Sequence, residues 1–83
     1  MSAALLHEVG EALYGPLWQC EMARALAVSD RTVRRWAAGT HAAPPRVWAD
    51  VARLAFDRRA ALSRLLPAVA QQAEALVQLR KAP

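Results

Sequence analysis

The sequence predicts an all-α fold, a compact domain of four or five helices, and three observations carry that reading. Of the 83 residues 55% are hydrophobic, with alanine and leucine dominant and three glycines in all, a composition that favours helix over sheet. Apolar residues recur three and four apart from Leu5 to Leu13 and from Val47 to Ala55, the period of a helix with one buried face. Glycine and proline fall between these stretches, at Gly15-Pro16, Gly39 and Pro44-Pro45, where they punctuate helices. A chain of this length makes one domain and buries only about 60–65% of its unfolded surface.

The first helix is expected over Ala3 to Tyr14, with Leu5, Leu6, Val9 and Leu13 on one face, Ser2 as its cap and Gly15 as its stop. Pro16 then suits the first position of a second helix, because its missing N–H is one of the orphan donors there. That helix runs to about Leu26, with Met22, Ala23 and Leu26 as its apolar side. A third is expected over Asp30 to Ala38, with Ser29 as N-cap, Asp30 complementing the helix dipole and Gly39 closing it in a left-handed conformation. Residues 40–44 form a loop, and Pro45 opens a fourth helix whose Val47, Trp48, Val51, Leu54 and Ala55 face inward. Trp36 and Trp48 are the obvious large pieces of the core, with Trp18 as a candidate third.

Past Phe56 the pattern changes. Asp57-Arg58-Arg59 puts charge where the apolar stripe should continue, so the helix is expected to break or turn its face there. Leu62, Leu65, Leu66, Val69, Leu76 and Leu79 supply a second stripe, interrupted by Pro67, which should kink or restart the helix. A last helix is therefore expected from about Pro67 to Arg80. Its stripe is larger than the core of so small a domain requires, and Leu65, Val69, Leu76 and Leu79 are the candidate dimer seam; packing on the protein's own core is the alternative. With a proline inside and fewer than three clean heptads, this is not a coiled-coil pattern.

The chain is organised around residues 19–39. Arg31, Arg34, Arg35 and Ala38 share one stripe of the third helix, while Val33 and Trp36 point the other way. Three guanidinium groups on the front of a helix with an apolar back suit a polyanion with base edges to read. Ala27-Val28-Ser29 is the right length for a tight corner, and small Ala23 lets the two helices approach closely.

Gln19-x-x-x-Ala23-x-x-x-Ala27-Val28-Ser29-x-x-Thr32-Val33-x-x-Trp36 resembles the helix-turn-helix of the lambda-repressor and Cro-like DNA-binding proteins. The match covers about a quarter of the chain directly. It departs at Ala27, where the family prefers glycine because the corner often needs positive φ. The resemblance implies a DNA-binding domain over 1–66, with 67–83 as a C-terminal helix of the same domain or a dimerisation extension. It also implies that Asp30, Arg31 and Arg35 face base edges, with Arg34 beside them, and that Asp30 accepts from a cytosine amine or holds Arg34. Gln19, Ser29, Thr32, Thr40 and Arg46 are the implied backbone contacts, and His41 lies on the same loop.

Charge placement agrees with a nucleic-acid partner. Residues 1–15 carry −2 from Glu8 and Glu11; residues 16–59 hold eight arginines against four acids, giving +4; the tail from Ala60 adds +2, for a net +4. An arginine-rich face on its own is most often simply solvated, and it is the surrounding motif that argues for DNA. Cys20 is the only cysteine, which points to a reducing cytoplasm and to a small packed residue. No apolar run approaches the ~20 residues of a membrane span, and no basic signal region precedes Glu8. Two histidines, one cysteine and no glycine-rich loop offer neither a metal set nor a nucleophile–base pair, and His7 with Glu11 reads as a surface pair. The expectation is a non-enzyme without cofactor or metal: a dimeric regulator on a palindromic double-stranded operator, with a regulatory protein as a further partner. The alternative is a protein-interaction adaptor that works through the C-terminal stripe.

Overall fold

A computed structural model of the chain describes residues 3–81, the side chains of residues 79 and 81 excepted. The Ser2 cap and the Leu79 side chain of the expected seam lie outside the described residues. Among the described residues four helices make up the fold: α1 (Ala3–Tyr14), α2 (Trp18–Leu26), α3 (Asp30–Ala38) and α4 (Pro45–Lys81). No strand occurs among the described residues.

The first three helices pack on one another, and the start of α4 closes the core. Leu6 and Leu13 of α1, Trp18, Met22 and Ala23 of α2, and Val33 and Trp36 of α3 are buried together with Val47 and Val51 of α4. Trp18 is the pivot. Its ring lies directly on Gly10, so closely that a β-carbon there would overlap Cδ2 and Cε3 of the indole. The His7 and Trp18 rings meet edge-to-face, at 5.2 Å between centroids and 74° between planes. His7 Nε2–H also donates to the carbonyl of Ala37 at 3.3 Å, fastening α1 to the end of α3. His7 is therefore an inter-helix contact rather than the surface partner of Glu11.

Docking of Trp18 on Gly10 also decides where α2 begins. Pro16 and Leu17 form a turn after Gly15, and the helix starts at Trp18, two residues later than the proline suggested. Leu17 at the N-cap position makes no side-chain cap bond. Among the tryptophans, Trp18 is the most enclosed, Trp36 is buried and Trp48 only half-buried. Leu5, expected inward, is half-exposed on the flank of α1 that faces Val51 and Ala55.

The second half of α4 corrects two expectations. There is no break at Asp57-Arg58-Arg59 and no restart at Pro67: α4 is one helix of 37 residues with Pro67 inside it. Arg58 occupies an inward position and is accommodated there. Its Nη1 donates to the Leu13 carbonyl at 2.7 Å, satisfying an orphan acceptor at the negative end of α1. Its guanidinium also lies 5.4 Å from the centroid of the Tyr14 ring. Pro67 removes one N–H from the ladder, but at 100° per residue it points to the face opposite Leu62, Val69 and Leu76, together with Glu74 and Gln78.

The result is elongated. The radius of gyration is 17.6 Å and the extents are 60 × 21 × 20 Å, whereas a globular chain of this length would have a radius near ~12 Å. Beyond Leu62 the described side chains of α4 are exposed, and the helix stands clear of the core.

Gly10→Ala supplies a test of the Trp18 contact. Alanine in a helix interior ordinarily gains about 0.5–1 kcal/mol over glycine, but here it should lose about 1–3 kcal/mol by overpacking against the indole. A thermal melt reads the sign: the expected change is a fall of several degrees or more.

Candidate nucleic-acid interface

Helix α3 is held at both ends and along its back. Ser29, extended at φ −76°, accepts the Thr32 N–H on its Oγ at 3.1 Å, and its hydroxyl shares a 2.8 Å hydrogen bond with that of Thr32. At the other end Gly39 takes φ 79°, and the N–H groups of Gly39 and Thr40 donate to the carbonyls of Trp36 and Arg35, the 5→2 and 6→1 pair of a Schellman motif. The Thr40 hydroxyl also donates to the Arg35 carbonyl at 3.1 Å and accepts from His41 Nδ1–H at 3.1 Å. Val33 and Trp36 anchor the inner side.

The corner between α2 and α3 closes in the same way. Val28 N–H donates to Ala23 O at 3.0 Å and Ala27 N–H to Arg24 O at 3.2 Å, with Ala27 at φ 57° and ψ 42°. Ala27 is the only non-glycine residue with positive φ among those described. The corner thus adopts the left-handed conformation that favours glycine, and the alanine carries the strain of its β-carbon.

With its back anchored, α3 turns Asp30, Arg31, Arg34, Arg35 and Ala38 outward, and all five are exposed. None of the three arginines is neutralised: among the described residues, ion pairing is confined to Arg24 and Glu21, 3.7 Å apart on α2. Asp30 does not hold Arg34. Its Oδ2 accepts instead from the Cys20 thiol at 3.6 Å, across from α2. Cys20 is accordingly exposed rather than packed, and the contact brings the first turn of α2, with half-buried Gln19, beside the start of α3.

Of the expected backbone contacts, Ser29 and Thr32 sit together at the N-terminus of α3. One hydroxyl proton of the pair is used between them, which leaves the other for an outside acceptor. The proton of Thr40 is committed to the Arg35 carbonyl, so an anion would have to compete for it. Arg46 is exposed in the first turn of α4, and no hydrogen bond or ion pair ties it to α3 among the described residues. Leu65, Val69 and Leu76 are exposed on the distal part of α4, far along the chain from α3.

Three features were not read from the sequence: the Arg58 cap on α1, the His7 contact to α3, and Val77 as a member of the exposed stripe. The last was legible in principle, because counting on at 100° per residue from Val51 through Ala55 and Leu62 reaches Val77 on the same side. No group of three or more histidine, cysteine, aspartate or glutamate residues able to hold a metal ion occurs among the described residues, and no helix is long and apolar enough to cross a membrane. Compared with family models, with curated proteins and with solved structures, the chain finds no match.

Ala27→Gly should relieve the corner. It removes the left-handed penalty of about 1–2 kcal/mol against a loss of chain entropy of about 0.5–1 kcal/mol. The expected outcome is a higher melting temperature, by a few degrees, with unchanged helical content by circular dichroism. A lower melting temperature would show that the corner is not left-handed.

Proposed function

We propose that this protein is a sequence-specific double-stranded DNA-binding transcriptional regulator, with α2 and α3 as its helix-turn-helix. It acts as a small dimeric repressor or autorepressor of the phage or mobile-element type, in the cytoplasm. The observation that carries the reading is the outward face of α3: Arg31, Arg34 and Arg35 within two turns, exposed and unpaired, on a helix fixed by Ser29, Gly39, Val33 and Trp36. Three like charges so close together repel one another, and a polyanion relieves that repulsion while releasing its own counterions.

The geometry of the major groove supports the same reading. At about 12 Å wide it admits one α-helix. Arg31 and Arg35 can each donate two N–H groups to guanine O6 and N7, and Arg34 serves a base or a neighbouring phosphate. In this reading Gln19, the spare hydroxyl proton at Ser29 and Thr32, and Arg46 hold the DNA backbone, which sets register rather than sequence. Asp30, occupied by the Cys20 thiol, remains able to accept from a cytosine amine on its second oxygen. The resemblance to the lambda-repressor and Cro-like proteins points the same way.

A second reading, an adaptor that docks other proteins, draws on the exposed stripe of α4 (Leu62, Leu65, Leu66, Val69 and Leu76). It gives the three arginines nothing to do.

Selection from random duplex DNA at several salt concentrations separates the two. A regulator enriches one palindromic sequence, whereas an adaptor enriches none. On that operator, Arg35→Ala should lose about 1–3 kcal/mol of binding and relax the preference at one base position. Arg46→Ala should weaken all sequences alike and reduce the salt slope by about one unit. The opposite assignment of the two effects would make the loop the reader and α3 the scaffold.

A further inference from the structure

Between α1 and α4 lies an apolar groove of about 650 Å³, and its walls belong to two different parts of the molecule. Val9, Ala12 and Leu13 of α1 form one side; Ala55, Leu62 and Val69 mark the length of the other along α4. Tyr14 ends α1, so past Leu62 the groove has one wall only, and the α4 stripe runs on into solvent. Leu62, Leu65, Leu66, Val69, Leu76 and Val77 are each about half exposed or more. Such a stripe is larger than the isolated apolar residues a monomer ordinarily shows.

We propose that the groove is filled by the distal half of α4 from a second copy of this chain, laid antiparallel, so that two copies bury each other's stripe. The proposal deepens the dimeric part of the DNA-binding reading and rests on the groove alone. It can hold or fail whether or not the protein binds DNA.

Three observations select this occupant. The first is length. The stripe from Leu62 to Val77 spans roughly 23 Å at 1.5 Å per residue, and the groove wall from Ala55 to Val69 spans roughly 21 Å. Antiparallel alignment of the two sets Leu62 against the partner's Val69 and Ala55 against the partner's Leu76 or Val77. The match is self-consistent under a two-fold axis, as an isologous interface requires.

The second observation is width. At 100° per residue, Leu65, Leu76, Val69, Leu62, Leu66 and Val77 cover an arc of about 120°. That exceeds the narrow seam of a two-stranded coiled coil, in which charged residues flank the two apolar positions. An arc this broad needs two neighbours, and the groove supplies them in α1 and α4 of the other copy. The third is charge. Helix α1 carries Glu8 and Glu11 and no lysine or arginine, whereas the chain from Ala60 carries Arg64, Arg80 and Lys81 against Glu74, +3 and −1 for a net +2. In the antiparallel register Arg80 arrives beside α1 near Glu8, which is exposed on the flank of the groove between Leu5 and Ala12. A parallel pairing would leave the groove empty and set the two basic ends side by side.

The test is equilibrium sedimentation of the full chain without DNA, from one to tens of micromolar, with helical content followed by circular dichroism. Wild type should be a dimer and Val69→Glu a monomer. Glu8→Arg and Arg80→Glu should each raise the dimer dissociation constant by roughly three- to tenfold at low salt. The double variant should return to within about twofold of wild type, a recovery that damage to the fold would not produce. In a Cys20→Ser background, Ala12→Cys combined with Leu76→Cys should form disulfide-linked dimers under mild oxidation, and Leu76→Cys alone should not. A wild-type monomer at tens of micromolar, a dimer indifferent to both charge reversals, absence of recovery in the double variant, or efficient cross-linking by Leu76→Cys alone would each overturn the proposal.

Discussion

Trp18 lying on Gly10 is the contact on which the arrangement of the first three helices depends. Because Gly10 has no side chain, the indole comes down onto the backbone of α1 and is enclosed there. This fixes the start of α2, and through Met22 and Ala23 it fixes the surface against which Val33 packs. His7 extends the same contact to α3, its ring edge-to-face with Trp18 and its Nε2–H on the Ala37 carbonyl. The outward aim of Arg31, Arg34 and Arg35 is thus set at a distance: the helix cannot rotate without drawing Val33 and Trp36 out of the core. The proposed reading of bases needs that rigidity, since misdirected guanidinium groups lose the paired hydrogen bonds that discriminate one base from another.

The local devices of the α2–α3 unit agree with its packing except at one place. Ser29 and Gly39 cap α3 with residues suited to each end, whereas Ala27 holds a left-handed corner with a side chain that disfavours it. The strain is small beside the burial it permits. Moving Ala27 out of that conformation would swing α3 away from α2 and expose Val33, a fully buried side chain whose loss from the core costs more than the corner does.

The long helix obeys a different economy of forces. Its first three turns are tied to the core by Val47 and Val51, and Arg58 fastens it to the end of α1. Beyond Leu62 its described side chains are exposed, although the apolar stripe continues without a change of phase. A single exposed helix is marginal in water, because most helical stability in proteins comes from burying one face. In the proposed dimer, the stripe and the basic end of α4 meet the groove and the acidic α1 of the other copy.

Much of this was legible in the sequence because it depends on neighbours a few residues apart. The bounds of α1 and α3, the caps at Ser29 and Gly39, the corner at Ala27 and the outward arginines all follow from helical period and from which residues tolerate which backbone angles. The tertiary structure alone decided the rest. Pro16 was a local signal for a helix start, but docking of Trp18 on Gly10 delayed that start by two residues. Arg58 looked like the end of an apolar stripe, yet it found the Leu13 carbonyl 45 positions away in sequence. His7 and Cys20 looked like a surface group and a packed one, and their partners on α3 reversed both assignments. In each case the deciding atom lies on another helix, where no period or propensity along the chain can place it.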